Sequence, residues 1–399
     1  MTFLCISCYF KGGPFLSACK AAGNTVYLLT MKNLENADWP RADIDEFFYM
    51  GSDNNSPENL KDVAAGLAHL MRNRKIDRLV ALDDFDVEKA AYLREEFRIP
   101  GMGQTTARYF RDKLAMRVQA RDSGVPVPAF ADLFNDVELT EFANNIEYPC
   151  LVKPRGEASA TGITKVHSAD ELWQHVHSLG ENRRNYLVEQ FKPGDVYHVD
   201  SISHDGDIVF CQVSRYLSTP FEVAHGGGIF RSVSIPYDHD EAHQLRRLTE
   251  DVLQAFGMQF SASHTEYIKT ADGKFVFLET ASRVGGAHVA EMVEAATGIS
   301  LWSEWAKLED AKARGANYQI PERRYDQSGI LVSLSRFEWP DMSGFNDPEV
   351  VWKINKPHHI GMIVASSSAE RVRELLDDYA ERVSKDFHAS APAPKKSLN

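Results

Sequence analysis

The chain contains no stretch approaching the roughly 18 consecutive apolar residues that a membrane helix requires, so no membrane-spanning segment is expected. It has no block of Lys and Arg outside its last residues, and its formal charge of −13 has the wrong sign for neutralising a phosphate backbone. Nucleic acid is therefore not an expected partner. Cysteine is scarce, with five in 399 residues at irregular spacing; an odd, scattered set gives no disulfide framework and suits a reducing, cytoplasmic setting. Cys5 and Cys8 form a lone C-x-x-C with no second pair and no neighbouring His to complete a metal site. The first residues lack a basic n-region and a long apolar stretch, so no secretory leader is expected. The loop 11–14 contains glycine but not the full G-x-G-x-x-G of a dinucleotide site.

What is present is a chain with 43% hydrophobic residues, enough for a large core divided among roughly two to four domains. Short apolar runs at 3–9, 25–30 and 78–82 alternate with helical spacing at 14–22 and 57–73. That pattern predicts a small open parallel α/β domain over residues 1–104, closed by the turn cluster Ile99-Pro100-Gly101-Met102-Gly103. The spacing next predicts one helix over 105–123. A strand-rich region follows to residue 280, with helices at 169–179 and 240–256 and two Asp-Gly reversals, Asp205-Gly206 and Asp272-Gly273. The remainder predicts a helix at 300–313, three strands, and a final amphipathic helix over 369–387. The expected division is 1–104, 105–315, a small α+β domain at 316–388, and a disordered tail at 389–399. There are no internal repeats.

The chemistry sits in the middle region. Lys153 ends an apolar stub and opens the small-residue loop PRGEASATGITKV, which brings a fixed cation and a row of backbone N–H groups toward phosphate oxygens. Glu266 in HTEYI and Glu279 in FLETASRVGG lie 13 residues apart across an Asp-Gly turn, a placement that can set both carboxylates on one face of a hairpin. Such a pair repels unless a divalent cation resolves it, and magnesium suits few protein oxygens completed by phosphate and water, with manganese as an alternative. Arg283, beside Gly285 and Gly286, offers a planar fork for a carboxylate or, in the plainer reading, an ion pair with Glu279.

Together with RDKLAMR at 111–117 and LVEQFKPGDVYHVDS at 187–201, these segments resemble the ATP-grasp superfamily over roughly residues 101–298. The resemblance implies a two-lobed ATP-grasp fold between the N-terminal α/β domain and the small C-terminal domain. It implies ATP and magnesium as cofactors, with Lys113 and Lys153 as phosphate lysines. Ser159 and Gly162 would belong to the loop over the triphosphate, and the main chain of Glu189, Gln190 and Phe191 would pair with adenine. Glu266 and Glu279 would hold metal, and Arg283 would stabilise the oxyanion of the reacting carbonyl. Two positions depart from the family pattern: Val196 stands where a ribose-binding glutamate is common, leaving Asp195 or another group as a substitute, and Ala281 stands where a metal-ligating asparagine is common.

The pair HTEYI and ETASRVGGAHVAEMVEAATGIS looks most like the branch containing L-amino acid ligases and carnosine synthase. There, His225 and Gly286 would face substrate. The implied activity is ADP-forming ligation of a small-molecule carboxylate, such as that of an amino acid, to an amine through an acyl phosphate, in an enzyme that could be a homodimer. Two other readings stand beside it: a biotin carboxylase-like component, which would need a separate biotinylated partner because no Met-Lys-Met is present, and a non-catalytic ATP-binding protein, suggested by Val196 and Ala281.

Overall fold

The computed structural model describes residues 1–51, 60–158, 160–219, 222–223 and 227–390. Strands β1 (Thr2–Ser7), β2 (Thr25–Met31), β3 (Glu46–Met50) and β4 (Arg78–Ala81) form a parallel sheet in the order β3-β2-β1-β4. The sequence pattern leaves β3 unmarked: it is a half-exposed edge strand with little alternation. β1 lies between β2 and β4, so the chain leaves β1 to one side and returns to the other. That reversal opens a crevice at the carboxyl ends of β1 and β4.

The expected single helix over 105–123 is two helices, Gln104–Tyr109 and Lys113–Asp122. Asp112 causes the break: its carboxylate accepts hydrogen bonds from the N–H groups of Leu114 (3.0 Å) and Ala115 (3.4 Å), starting a new helix at Lys113.

Strands β5 (Phe130–Asp132), β6 (Cys150–Pro154), β7 (Thr164–Val166) and β8 (Tyr186–Gln190) form a small antiparallel sheet in the order β5-β8-β6-β7. Helices Asp136–Asn145 and Ala169–Leu179 cover one face through Leu139, Leu172 and Val176. The other face is left for the site.

The larger sheet has eight strands. β9 (Asp195–His204) and β10 (Asp207–Tyr216) are joined by the expected two-residue turn, with Asp205 at φ 53° and Gly206 at φ 90°. β11 (Phe230–Ser234), β12 (Phe260–Lys269), β13 (Phe275–Ala281), β14 (Gln327–Leu334), β15 (Val350–Lys353) and β16 (His359–Ser366) complete the order β13-β12-β9-β10-β11-β14-β16-β15. Helix Asp240–Ala255 buries Leu245, Val252 and Leu253 against one face of its first half.

Residues 316–388, expected as a separate small domain, continue this sheet, since β14 pairs directly with β11. The final helix Ala369–Asp386 packs on that half through Val372, Leu375, Leu376, Tyr379 and Val383, the stripe its periodicity predicts. The N-terminal domain is fastened to the rest by helix Leu301–Arg314, where Phe15 meets Trp305 and buried Arg78 pairs with Glu309. No helix among the described residues is long and apolar enough to cross a membrane. All five cysteines are buried, and none forms a disulfide. Of the tail expected at 389–399, residues 391–399 lie outside the described residues.

Candidate functional site

The floor of the site is one face of the large sheet. Strand alternation puts Val196, His198 and Asp200 of β9 on the same side as His264, Glu266 and Ile268 of β12, while Tyr197, Val199 and Tyr267 point into the core under helix Asp240–Ala255. On that floor Asp200 accepts from both imidazoles, His198 Nδ1 at 2.7 Å and His264 Nδ1 at 2.8 Å. His264 Nε2 lies 3.4 Å from Glu266 Oε1, and the Tyr216 hydroxyl donates to the same oxygen at 2.8 Å. Burial opposes charge on His264, but Asp200 and Glu266 outweigh it and raise its pKa to about 10. Burial would raise Glu266, and His264 and Tyr216 hold it below its usual range.

Glu279 reaches this face through an irregularity in β13. Tyr267 pairs with Phe277, yet Glu266 pairs with Glu279, so Leu278 is an extra residue in the ladder. A regular strand would turn Glu279 to the core side with Phe277; the bulge turns it back toward the cavity. Lys113 Nζ is 3.0 Å from Glu279 Oε2 and donates to the Glu157 carbonyl at 2.6 Å.

The roof is the open face of the small sheet. Lys153 on β6 and Glu189 on β8 form a buried ion pair, and Arg117 from helix Lys113–Asp122 donates to the same carboxylate through Nε (3.0 Å) and Nη2 (2.8 Å). Burial alone would raise Glu189, but the two cations bring it down to about 2. Burial also lowers Lys153, with Glu189 opposing the shift. Asp112 accepts from Arg155 Nε at 2.9 Å, and the Lys113 N–H donates to the Arg155 carbonyl at 2.9 Å. The start of that helix is thereby tied to the loop after β6.

Roof and floor enclose a cavity of about 500 Å³. Lys113, Lys153, Glu189, Gln190, Phe191, Glu266, Glu279, Arg283 and Gly286, all singled out from the sequence, line it. Asp195 does not: it begins β9 with its side chain 64% exposed, beside Arg215, because alternation gives the cavity face to Val196. Gly162 lines a neighbouring cavity instead, where its φ of +70° and the closeness of Pro154 (2.9 Å from an added Cβ) require glycine. The N–H groups of Gln190 and Phe191 are already donated to the carbonyls of Ala129 (2.8 Å) and Pro149 (3.0 Å), so these two donors are not available to an adenine edge. Ser159 and His225 lie outside the described residues.

Arg283 is held by a residue that the sequence reading did not select. Its Nη2 donates to Asp84 Oδ2 at 2.6 Å and its Nη1 to the Val284 carbonyl at 2.6 Å, so the partner is Asp84 and not Glu279. Asp84 follows β4 at the crevice of the parallel sheet, and the run Asp83-Asp84-Phe85-Asp86 at a strand's carboxyl end was the available signal. Arg117, His198, Asp200 and Tyr216 are buried as well, and the polar residues around Arg117, His198 and Asp200 in their own helix and strand keep these three from standing out in the sequence.

Two lysines, a hydroxyl without a partner and an opposed carboxylate pair suit a polyphosphate with a hard cation. Thr161 Oγ1 is buried in the cavity wall with no hydrogen-bond partner among the described residues, and Lys113 and Lys153 line the same cavity. Residues 146–291 match the family described as the ATP-grasp domain. The chain carries an ATP-grasp domain.

The chain is similar to the L-arginine-specific L-amino acid ligase of Bacillus subtilis, with 27% identity over 59% of this chain and 58% of that protein. It thus spans somewhat over half the length of that curated relative. The D-alanine–D-alanine ligase of Pseudomonas fluorescens (strain Pf0-1) is also 27% identical, over 60% of this chain and 76% of its own length. Among solved structures, an L-amino acid ligase from Bacillus licheniformis superposes with a TM-score of 0.74 at 18% identity, covering 97% of this chain and 98% of that one. That likeness shows the shared fold: a parallel N-terminal sheet before the two antiparallel sheets of the ATP-grasp lobes.

Proposed function

We propose that this chain is an ATP-dependent, ADP-forming carboxylate–amine ligase acting on amino acids. The observation that carries the reading is the meeting of Lys113, Lys153, Glu266, Glu279 and Arg283, from separate stretches of sequence, around one cavity between the lobes. The printed names of the relatives from Bacillus subtilis and Pseudomonas fluorescens, both amino acid ligases, support amino acids as substrates.

In this reading Lys113, Lys153 and Thr161 hold phosphate oxygens, and Glu266 and Glu279 hold magnesium. When bound there, the metal would draw off phosphoryl charge and align the transferring group. Lys113 moves its contact from Glu279 to phosphate as the nucleotide enters. Glu189 does not touch the nucleotide; it keeps Lys153 extended and charged while Arg117 balances the pair. Val196 meets the sugar with an apolar surface. The substrate carboxylate takes the γ-phosphoryl group, an amine then displaces phosphate, and Arg283 stabilises the oxygen charge that develops at the carbonyl carbon. The small-sheet lobe over the cavity limits entry of water, which would hydrolyse the activated carboxylate.

In this reading the nucleotide is held within residues 105–315, Asp84 is contributed by residues 1–104, and the strands of 316–388 extend the same large sheet. Nucleotide analysis tests the reading: with magnesium and pooled amino acids, ATP should yield ADP and phosphate. Formation of AMP and pyrophosphate instead would overturn the assigned chemistry.

A further inference from the structure

The loop after β4 holds three aspartates in four residues, and each is used differently. Asp83 pairs with Lys11, and Asp86 accepts from the Cys8 N–H at 2.8 Å and pairs with Lys89 at 3.3 Å. Asp84 lines the cavity, with its side chain only 9% exposed. Its Oδ2 takes Arg283, while Oδ1 is buried with no hydrogen-bond partner among the described residues. Arg283 Nε is likewise buried and unpartnered. A buried carboxylate oxygen without a donor is unfavourable, and a ligand able to donate there would relieve it.

An anion and a cation thus stand side by side in the cavity wall, 2.6 Å apart, each with one hydrogen-bonding atom unused. Gly286 and Ala287, which lead into helix Val289–Thr297, also line the wall beside this pair. An α-amino acid matches the pair, because a single carbon separates its ammonium nitrogen from its carboxylate carbon. A β- or ω-amino acid places the two charges too far apart for adjacent partners, and a simple carboxylic acid leaves Oδ1 unsatisfied.

Resting on the ligase reading, we propose that Asp84 is a specificity-determining residue that binds the free α-ammonium of the carboxylate donor, restricting donors to α-amino acids whose carboxylate faces Arg283. The enzyme then extends a chain only from its carboxyl end, with the donor keeping its amino group free. Asp84 is a substrate-binding group, and its loss weakens selection among donors without altering the grip on ATP.

Hydroxylamine trapping tests this without knowing the natural amine. The purified protein is given ATP, magnesium and hydroxylamine with matched donors: L-alanine against propanoate and β-alanine, and L-phenylalanine against 3-phenylpropanoate. Hydroxamate is measured with each donor. Wild type should favour the α-amino acid by at least about tenfold, the scale of one charge-assisted hydrogen bond. Asp84→Asn should collapse that ratio toward one while leaving the KM for ATP unchanged. Equal losses with amino and desamino donors would reduce Asp84 to a structural partner of Arg283 and overturn the proposal. Equal or better use of propanoate or β-alanine by wild type would overturn it with no variant needed. Hydroxamate from no carboxylate at all would instead remove the ligase reading, and this inference with it.

Discussion

Glu266 and Glu279 face each other across β12 and β13 because Leu278 is bulged out of the ladder between them. Two carboxylates set in this way repel unless each is balanced by a positive charge or a hydrogen-bond donor. At present Lys113 balances one, at 3.0 Å from Glu279, while His264 and Tyr216 balance the other. Their position ties a small backbone irregularity to the chemistry of the whole cavity.

Replacing Glu279 by Gln keeps the shape of the side chain and removes the charge a metal would need. ATP turnover should fall by at least about 100-fold, with an unchanged far-UV circular dichroism spectrum. Near-normal ADP release would take Glu279 out of the metal site.

Asp84 and Arg283 join the N-terminal domain to the large sheet from positions 199 residues apart. Removing one member of a buried pair strands the other, at a cost of about 3 kcal/mol. Arg283→Met should therefore destabilise strongly in urea, and the double variant Asp84→Asn/Arg283→Met should lose less than the sum of the two single changes. Strict additivity would mean that the pair is not coupled.

Glu189 sets an acid limit on stability. Its carboxyl is held at about 2 in the folded chain against an ordinary value of 4.5. The folded state thus binds that proton less readily than the unfolded chain. The stabilisation is complete above pH 4.5 and drains away as pH falls toward 2, amounting to roughly 3 kcal/mol. Urea midpoints measured across that window should slope less steeply in Glu189→Gln, whatever the variant's absolute stability. An identical slope would place the acid sensitivity elsewhere.

Gly194 joins the two sheets at the edge of the cavity with φ +155°, where an added Cβ would lie 2.1 Å from the Lys269 carbonyl oxygen. Alanine there should cost about 2 kcal/mol or more, since backbone must move. Gly273→Ala is the control: its φ is +81° but it meets nothing within 4 Å, so only the conformational cost of about 1 kcal/mol applies. Thermal unfolding of the two variants should separate them; equal losses would mean that the Gly194 contact relaxes freely.

Much of this arrangement is legible before any coordinates. The alternation in β9, β10 and β12 and the Asp-Gly turns mark the hairpins, and Lys153, Glu266 and Glu279 stand out by their surroundings. Period-two reasoning, however, fails where one residue is added, so the face occupied by Glu279 depends on a bulge that no local propensity announces. Asp195, the substitute offered for a ribose contact, faces outward for a related reason, because the start of β9 decides which of Asp195 and Val196 faces the cavity. The break at Asp112 was readable as an N-cap but was hidden within continuous helical spacing. Asp84 and Arg283 meet only through tertiary packing between domains, which sequence spacing does not encode.

Mass spectrometry of the products formed from ATP, magnesium and pooled amino acids tests the central claim most directly, with nucleotides quantified alongside. The ligase account predicts a new species with the mass of two substrates less one water, formed in step with ADP. ADP release that depends on bicarbonate, with no condensation product from any pool, would contradict it.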